Sequence, residues 1–263
     1  MTVAGSSADP ILAIEGLDKH FGGLRAVEGA SFSVRRGSLT ALIGPNGAGK
    51  TTLFDLVSGF TTPDRGAIRF DGRSIAGLPP HRIAALGLVR TFQLTRVFAA
   101  MTVLDNMMLA SPDQPGESLW HLLAPRRAHR RSEAAARERA FALLRQFDLD
   151  RKSEDYAGTL SGGQRKLLEL ARALMTAPRM VLLDEPMAGV NRVLGRRLLE
   201  YVESLRRTDD MTFLFVEHDM DVVMTRADHV VVMAEGAVIA ADRPELVRAD
   251  PRVINAYLGG AAQ

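Results

Sequence analysis

Short, uninterrupted apolar runs recur along the chain at Leu39–Ile43, Met180–Leu183, Thr212–Val216 and His229–Met233. Runs of this length predict strands buried on both faces. Segments of helical period lie between them, such as Lys50–Ser58, with Leu53, Leu56 and Val57 on one face, and Arg192–Arg206. Strands alternating with helices predict a parallel sheet flanked by helices. Ile11–Leu17 and Ala30–Val34 instead alternate apolar and polar residues, the pattern of antiparallel strands with one wet face. Ala67–Phe70, followed by Asp71-Gly72, predicts a further strand and turn. Between about Thr95 and Thr159 the β-branched runs stop, and Val103–Leu109 and Arg126–Phe147 show helical spacing, broken by Ser111-Pro112-Asp113-Gln114-Pro115-Gly116. The pattern predicts an α/β core over about 11–94 and 160–242, a helical subdomain over about 95–159 and a helical tail over about 243–263. No internal repeat is visible.

With 263 residues, 46% hydrophobic and 24% charged, the chain has a soluble globular composition long enough for one large α/β domain or a domain with an inserted subdomain. A net charge of only +2 does not call for nucleic acid as a partner. The absence of cysteine excludes disulfides and thiolate metal sites. The stretch Met1–Ile11 has neither the basic start nor the apolar run of a signal peptide. The longest uncharged stretch, Gly37–Gly49, has 13 residues and is broken by glycines and a proline, whereas a spanning helix needs roughly 20 apolar residues. Any membrane role is therefore expected to run through a partner.

The run at Leu39–Ile43 ends in Gly44-Pro45-Asn46-Gly47-Ala48-Gly49-Lys50-Thr51, and a helix follows. Strand, glycine loop and helix form the context of a phosphate-binding loop. Closely spaced glycines let backbone N–H groups converge on phosphate oxygens, and the helix aims its positive dipole end at the same anion. Lys50 is expected to reach the β- and γ-phosphates, and the Thr51 hydroxyl to ligate Mg²⁺.

Met180–Leu183 ends in Asp184-Glu185. Adjacent strand residues point to opposite faces, so the two carboxylates divide their tasks: Asp184 toward Mg²⁺ and Glu185 as general base for water. His218 follows a second buried strand and is placed to sense the γ-phosphate and orient water; a structural or surface histidine is the alternative. Gln93, where the core gives way to the insertion, can report nucleotide state through Mg²⁺ or the attacking water, or be a plain surface side chain. Leu160-Ser161-Gly162-Gly163-Gln164 opens a helix over Arg165–Thr176; it reads equally as a helix cap or as a second anion site.

Taken in order, the glycine loop, Gln93, Leu160–Gln164, Asp184-Glu185 and His218 resemble an ABC-type ATPase cassette over essentially the whole chain. The resemblance implies an ABC-type P-loop NTPase with a RecA-like mixed sheet core, a small antiparallel β subdomain and a helical insertion. It implies two cassettes in a head-to-tail dimer, each holding ATP and Mg²⁺ on its own Gly44, Pro45, Asn46, Gly47, Ala48, Gly49, Lys50, Thr51 and Thr52. Ser161, Gly162, Gly163 and Gln164 of the facing copy then cover that ATP. Thr51, Gln93 and Asp184 are the implied metal-side residues; Glu185, His218, Gln93 and Lys50 are the catalytic ones. Phe21 falls where the family stacks an aromatic on adenine, with core packing as the alternative.

His20–Val27, Val89–Gln93, Ala188-Gly189-Val190-Asn191 and the tail Asp250–Gly259 look like the ATP-binding subunits of branched-chain amino acid importers. That resemblance implies a peripheral ATPase on the cytoplasmic face of the membrane, partnered by a second cassette, integral permease subunits and a solute-binding protein, without nucleic acid. An importer cassette for urea or amides, and a soluble ABC-family ATPase acting on ribosomes or DNA, are the alternatives. The apolar stretch Val97–Val103, with Met107 and Met108, reads as core or as a groove for a short helix of a membrane partner. Arg126–Arg131 reads as a solvated helix start, then as a contact with anionic headgroups, and last as a nucleic-acid contact.

Overall fold

In the computed structural model, residues 10–91, 97–111, 126–190 and 192–259 are described. They divide into two units, one of residues 1–90, 179–186 and 202–263, the other of 91–178 and 187–201.

The first unit contains two sheets. Strands β1 (Leu12–Phe21), β2 (Leu24–Val34), β4 (Arg65–Phe70) and β5 (Arg73–Ser74) form an antiparallel sheet in the order β2-β1-β4-β5. The second sheet runs β10-β9-β3-β8-β7-β6, from β3 (Leu39–Ile43), β6 (Leu88–Arg90), β7 (Met180–Asp184), β8 (Thr212–Val216), β9 (His229–Ala234) and β10 (Ala237–Asp242). All neighbours in it are parallel except β9 and β10, which form a hairpin. Every residue of β3, β7 and β8 is buried, because helices and the other sheet cover both faces; this is why these strands read as continuous apolar runs. Between the sheets, Leu12, Ile14 and Phe70 share one buried cluster with Leu42, Leu182, Leu214 and Val231, closed by Leu53, Phe54 and Val57 of helix α1 (Lys50–Val57). Helices α2 (Pro80–Ala85), α7 (Met220–Arg226), α8 (Pro244–Ala249) and α9 (Pro251–Gly259) complete the unit.

The parallel register brings four strand ends to one edge. There β3 gives way to the glycine loop, β7 ends at Asp184, β8 leads into Glu217 and His218, and β6 ends at Arg90. Ligands in open α/β sheets collect at this carboxyl edge.

The second unit is helical. It comprises α3 (Val103–Met108), α4 (Arg126–Gln146), α5 (Gly162–Leu174) and the first part of α6 (Arg192–Asp209), whose remainder belongs to the first unit. It reaches beyond 95–159, taking in 91–94, 160–178 and 187–201 as well. Asn106 is fully buried and shapes the start of the unit: its amide pairs with both the N–H and the C=O of Phe98, at 2.9 and 3.0 Å. Val103 and Met107 are core, and Phe98, Ala99 and Ala100 are exposed. The cluster Arg126–Arg131 begins α4, with the side chains of residues 126–130 outside the described set.

Candidate functional site

The glycine loop is built by backbone conformations that side chains resist. Gly44, Gly47 and Gly49 have φ of 150°, 78° and 96°. At two of them the surroundings forbid a Cβ outright: one on Gly44 meets the carbonyl oxygen of Met233 at 2.0 Å, and one on Gly49 meets that of Ala26 at 2.2 Å. Gly49 is also the N-cap of α1, and no side chain caps the helix. The amides of that first turn therefore lack the usual internal partner and are aimed at whatever the loop holds. Asn46, Gly47 and Thr51 are exposed, Pro45 and Thr52 half-buried, and Ala48 buried as the pin of the loop.

Lys50 is buried, and its ammonium donates to the carbonyls of Gly44 and Pro45 at 2.8 and 2.9 Å. Burial pulls its pKa below the usual lysine value, and the charge of Glu185 opposes that shift. A buried cation that donates to two carbonyls, under helix-start amides with no side-chain cap, is a donor set that fits a polyphosphate.

Asp184 and Glu185 part as adjacent strand-end residues should. Asp184 is buried, 6% exposed, and held by Arg90; Glu185 has turned off the strand into the left-handed region at φ 47°. Its amide donates to the Val216 carbonyl at 3.1 Å, locking the turn against β8. The carboxylate then lies 3.0 Å from Nε2 of His218. Glu217, buried beside it, accepts the His218 N–H at 3.2 Å and holds the backbone there. A carboxylate oriented by an imidazole, near a lysine of the phosphate loop, is an arrangement for polarising water.

Phe21 is 51% exposed at the end of β1, so it does not pack in the core, and the Lys19 ammonium sits 5.3 Å from its ring centre. Gln93, like Asn191, lies outside the described residues. The structure adds two residues that sequence reasoning passed over. Arg90 ends the three-residue β6 against Asp184, and no local pattern in the sequence marks it. Tyr257 of α9 places its hydroxyl by the Gly44 amide, and burial raises its pKa.

In the second unit, Ser161 caps α5 by accepting from the Gln164 N–H at 3.3 Å, and the Gln164 side chain accepts from the Ser161 N–H at 3.0 Å. This reciprocal box satisfies two first-turn donors. The two glycines differ. A Cβ on Gly163 meets Leu194 Cδ2 at 1.9 Å, so packing on α6 accounts for this glycine, whereas one on Gly162 meets nothing within 4 Å. Open space at Gly162 fits approach by an outside group. Gly162→Ala is accordingly expected to leave the melting temperature and ATP affinity unchanged while lowering turnover about tenfold or more. Unchanged turnover would remove this loop from the site.

The sequence matches the family model described as ABC transporter over residues 27–188, and that described as Branched-chain amino acid ATP-binding cassette transporter over residues 237–263. The chain belongs to the ABC transporter family, as an ATP-binding cassette whose ATPase activity is coupled to transport. Among its relatives, the high-affinity branched-chain amino acid transport ATP-binding protein BraF of Pseudomonas aeruginosa is 44% identical over 96% of this chain and 99% of its own length. A probable branched-chain amino acid transport ATP-binding protein, LivG of Archaeoglobus fulgidus, is 43% identical over 95% of both. Of solved structures, a nucleotide-free ATP-binding cassette from an ABC transporter aligns with a TM-score of 0.80 at 36% identity over 95% of this chain and 99% of that one. The ADP conformation of an ATP-binding cassette gives 0.81 at 37% identity over 96% and 100%.

Proposed function

We propose that the chain hydrolyses ATP to drive a branched-chain amino acid importer, as one of two cassettes on the cytoplasmic face of integral permease subunits fed by a solute-binding protein. The observation that carries the chemistry is the meeting of Lys50, Asp184, Glu185 and His218 at the edge of one sheet, below the uncapped start of α1. The importer reading is supported by the tail match at 237–263 and by the named relatives.

In this reading the backbone of Gly44–Thr52 grips the phosphates of ATP, and Lys50 leaves its carbonyl partners for the phosphate oxygens. Phe21 stacks on adenine. Thr51, Asp184 and Gln93 serve Mg²⁺, which would neutralise charge building on the phosphates when bound. Glu185 takes the proton of the attacking water while His218 keeps that carboxylate in place. Ser161, Gly162, Gly163 and Gln164 of the second cassette close over the nucleotide, so hydrolysis and dimer opening share residues. Because the cassette never touches the solute, the solute is tested in the whole assembly. Vesicles reconstituted with the chain, permease subunits and a solute-binding protein are expected to take up labelled leucine on internal ATP. Uptake of urea or amides without leucine would overturn the substrate, and recovery of the chain with ribosomes instead of membranes would overturn the importer.

A further inference from the structure

Arg90 closes the edge strand β6 with its side chain only 7% exposed. A guanidinium so buried must find replacements for its lost hydration. Its terminal nitrogens divide between two carboxylates: Nη2 donates to Asp184 Oδ2 at 2.7 Å, and Nη1 donates to Asp55 Oδ1 at 2.5 Å and the Ser58 hydroxyl at 3.3 Å. The rings of Phe54 and Phe60 stand 5.6 and 6.0 Å from the guanidinium carbon and wall it in. Asp55 lies on α1, the helix that begins at the glycine loop and carries Thr51, and Ser58 ends it. One side chain thus joins the strand-end carboxylate to the helix bearing the proposed magnesium-side hydroxyl.

We propose that Arg90 is a positioning residue for the metal side of the nucleotide site. By holding Oδ2 of Asp184 it fixes the carboxylate plane and leaves Oδ1, which accepts no hydrogen bond among the described residues, to face the metal's hydration shell. By holding Asp55 as well, it keeps that carboxylate in register with α1. The planar fork is what allows both at once; a single ammonium has no such geometry. The proposal rests on the reading of Asp184 as the magnesium-side carboxylate.

The test is the gain in ATP affinity that Mg²⁺ confers, measured as Kd with Mg²⁺ against Kd in EDTA, with the electron paramagnetic resonance line shape of bound Mn²⁺ as a second readout. Arg90→Gln and Asp55→Asn both remove the ion pair to α1, but only the first releases Asp184. Arg90→Gln is expected to bind ATP in EDTA within about twofold of wild type and to lose about tenfold of the Mg²⁺ gain, with a broadened Mn²⁺ signal. Asp55→Asn is expected to keep the gain. Equal losses in both variants would make Arg90 a simple tie between β6 and α1 and overturn the proposal, as would an unchanged gain or a loss of binding in EDTA. Asp184→Asn separates the premise from the proposal: if it too keeps the gain, the reading of Asp184 fails, and if it alone loses the gain, only the role of Arg90 fails. Should Arg90→Gln not fold, Arg90→Lys keeps the charge without the fork, and a wild-type Mg²⁺ gain in that variant overturns the proposal.

Discussion

Replacing Glu185 by Gln is expected to lower ATP turnover by about 10²–10⁴-fold, the range of a lost general base, while leaving ATP affinity intact. The geometry makes this a clean substitution. Glu185 sits at φ 47° with its amide fixed to the Val216 carbonyl, and neither feature depends on the carboxylate. A Gln side chain has nearly the same shape and can still accept from His218 Nε2, now 3.0 Å from Oε1. What it cannot do is take a proton. The expected signature is therefore a protein that binds ATP, accumulates as an ATP-bound dimer on a sizing column and releases almost no phosphate. Turnover within twofold of wild type would move the base elsewhere. His218→Ala should lower turnover less, because it removes the group that orients the carboxylate and leaves the base itself.

Gly49→Ala is expected to cost at least a hundredfold in ATP affinity and several degrees in melting temperature. The added methyl has nowhere to go: it would lie 2.2 Å from the Ala26 carbonyl oxygen and 3.3 Å from Met233 Cε, on a residue at φ 96°. Backbone strain of this kind costs about 1–3 kcal/mol before the displacement of β2 is added. The helix start must then move away from β2. Gly23→Ala is the matched control, since its Cβ meets nothing within 4 Å and φ is unremarkable, and it should stay within about 0.5 kcal/mol of wild type. Calorimetric titration with ATP and a melting curve on both variants decide the matter; normal binding by Gly49→Ala would show that the loop adapts.

The parts legible in the sequence were those whose physics is local. Leu39–Ile43 shows its burial on both faces by its composition, and Gly44–Thr51 shows its phosphate geometry by spacing. Other parts are settled by distant neighbours. The three-residue strand β6 is too short to carry a period, and it exists because Leu88–Arg90 pairs with Met180–Leu182. The hairpin of β1 and β2 runs further than its alternation suggests because register shifts between Ile14 and His20 break the pattern. The alanine-rich β10 was invisible for a related reason: Ala237–Asp242 gains its strand character by pairing with β9. Arg90 is the sharpest case at the site, with partners 35 and 94 residues away in sequence.

The same long-range pairing bears on how the protein is made. Strand β3, which aims the glycine loop, has only β8 and β9 as hydrogen-bonded neighbours in its sheet, through Phe213–Val216 and His229–Val232. A nascent chain that has left the ribosome as far as Asp184 already carries the entire phosphate-binding motif, with neither hydrogen-bonded neighbour yet beside the strand that precedes it. Pairing at such separation is slow, and it waits for segments not yet synthesised. Nucleotide binding should therefore arrive late in synthesis, when the chain has been made past Val232, so that ATP can stabilise only those molecules whose central sheet is complete.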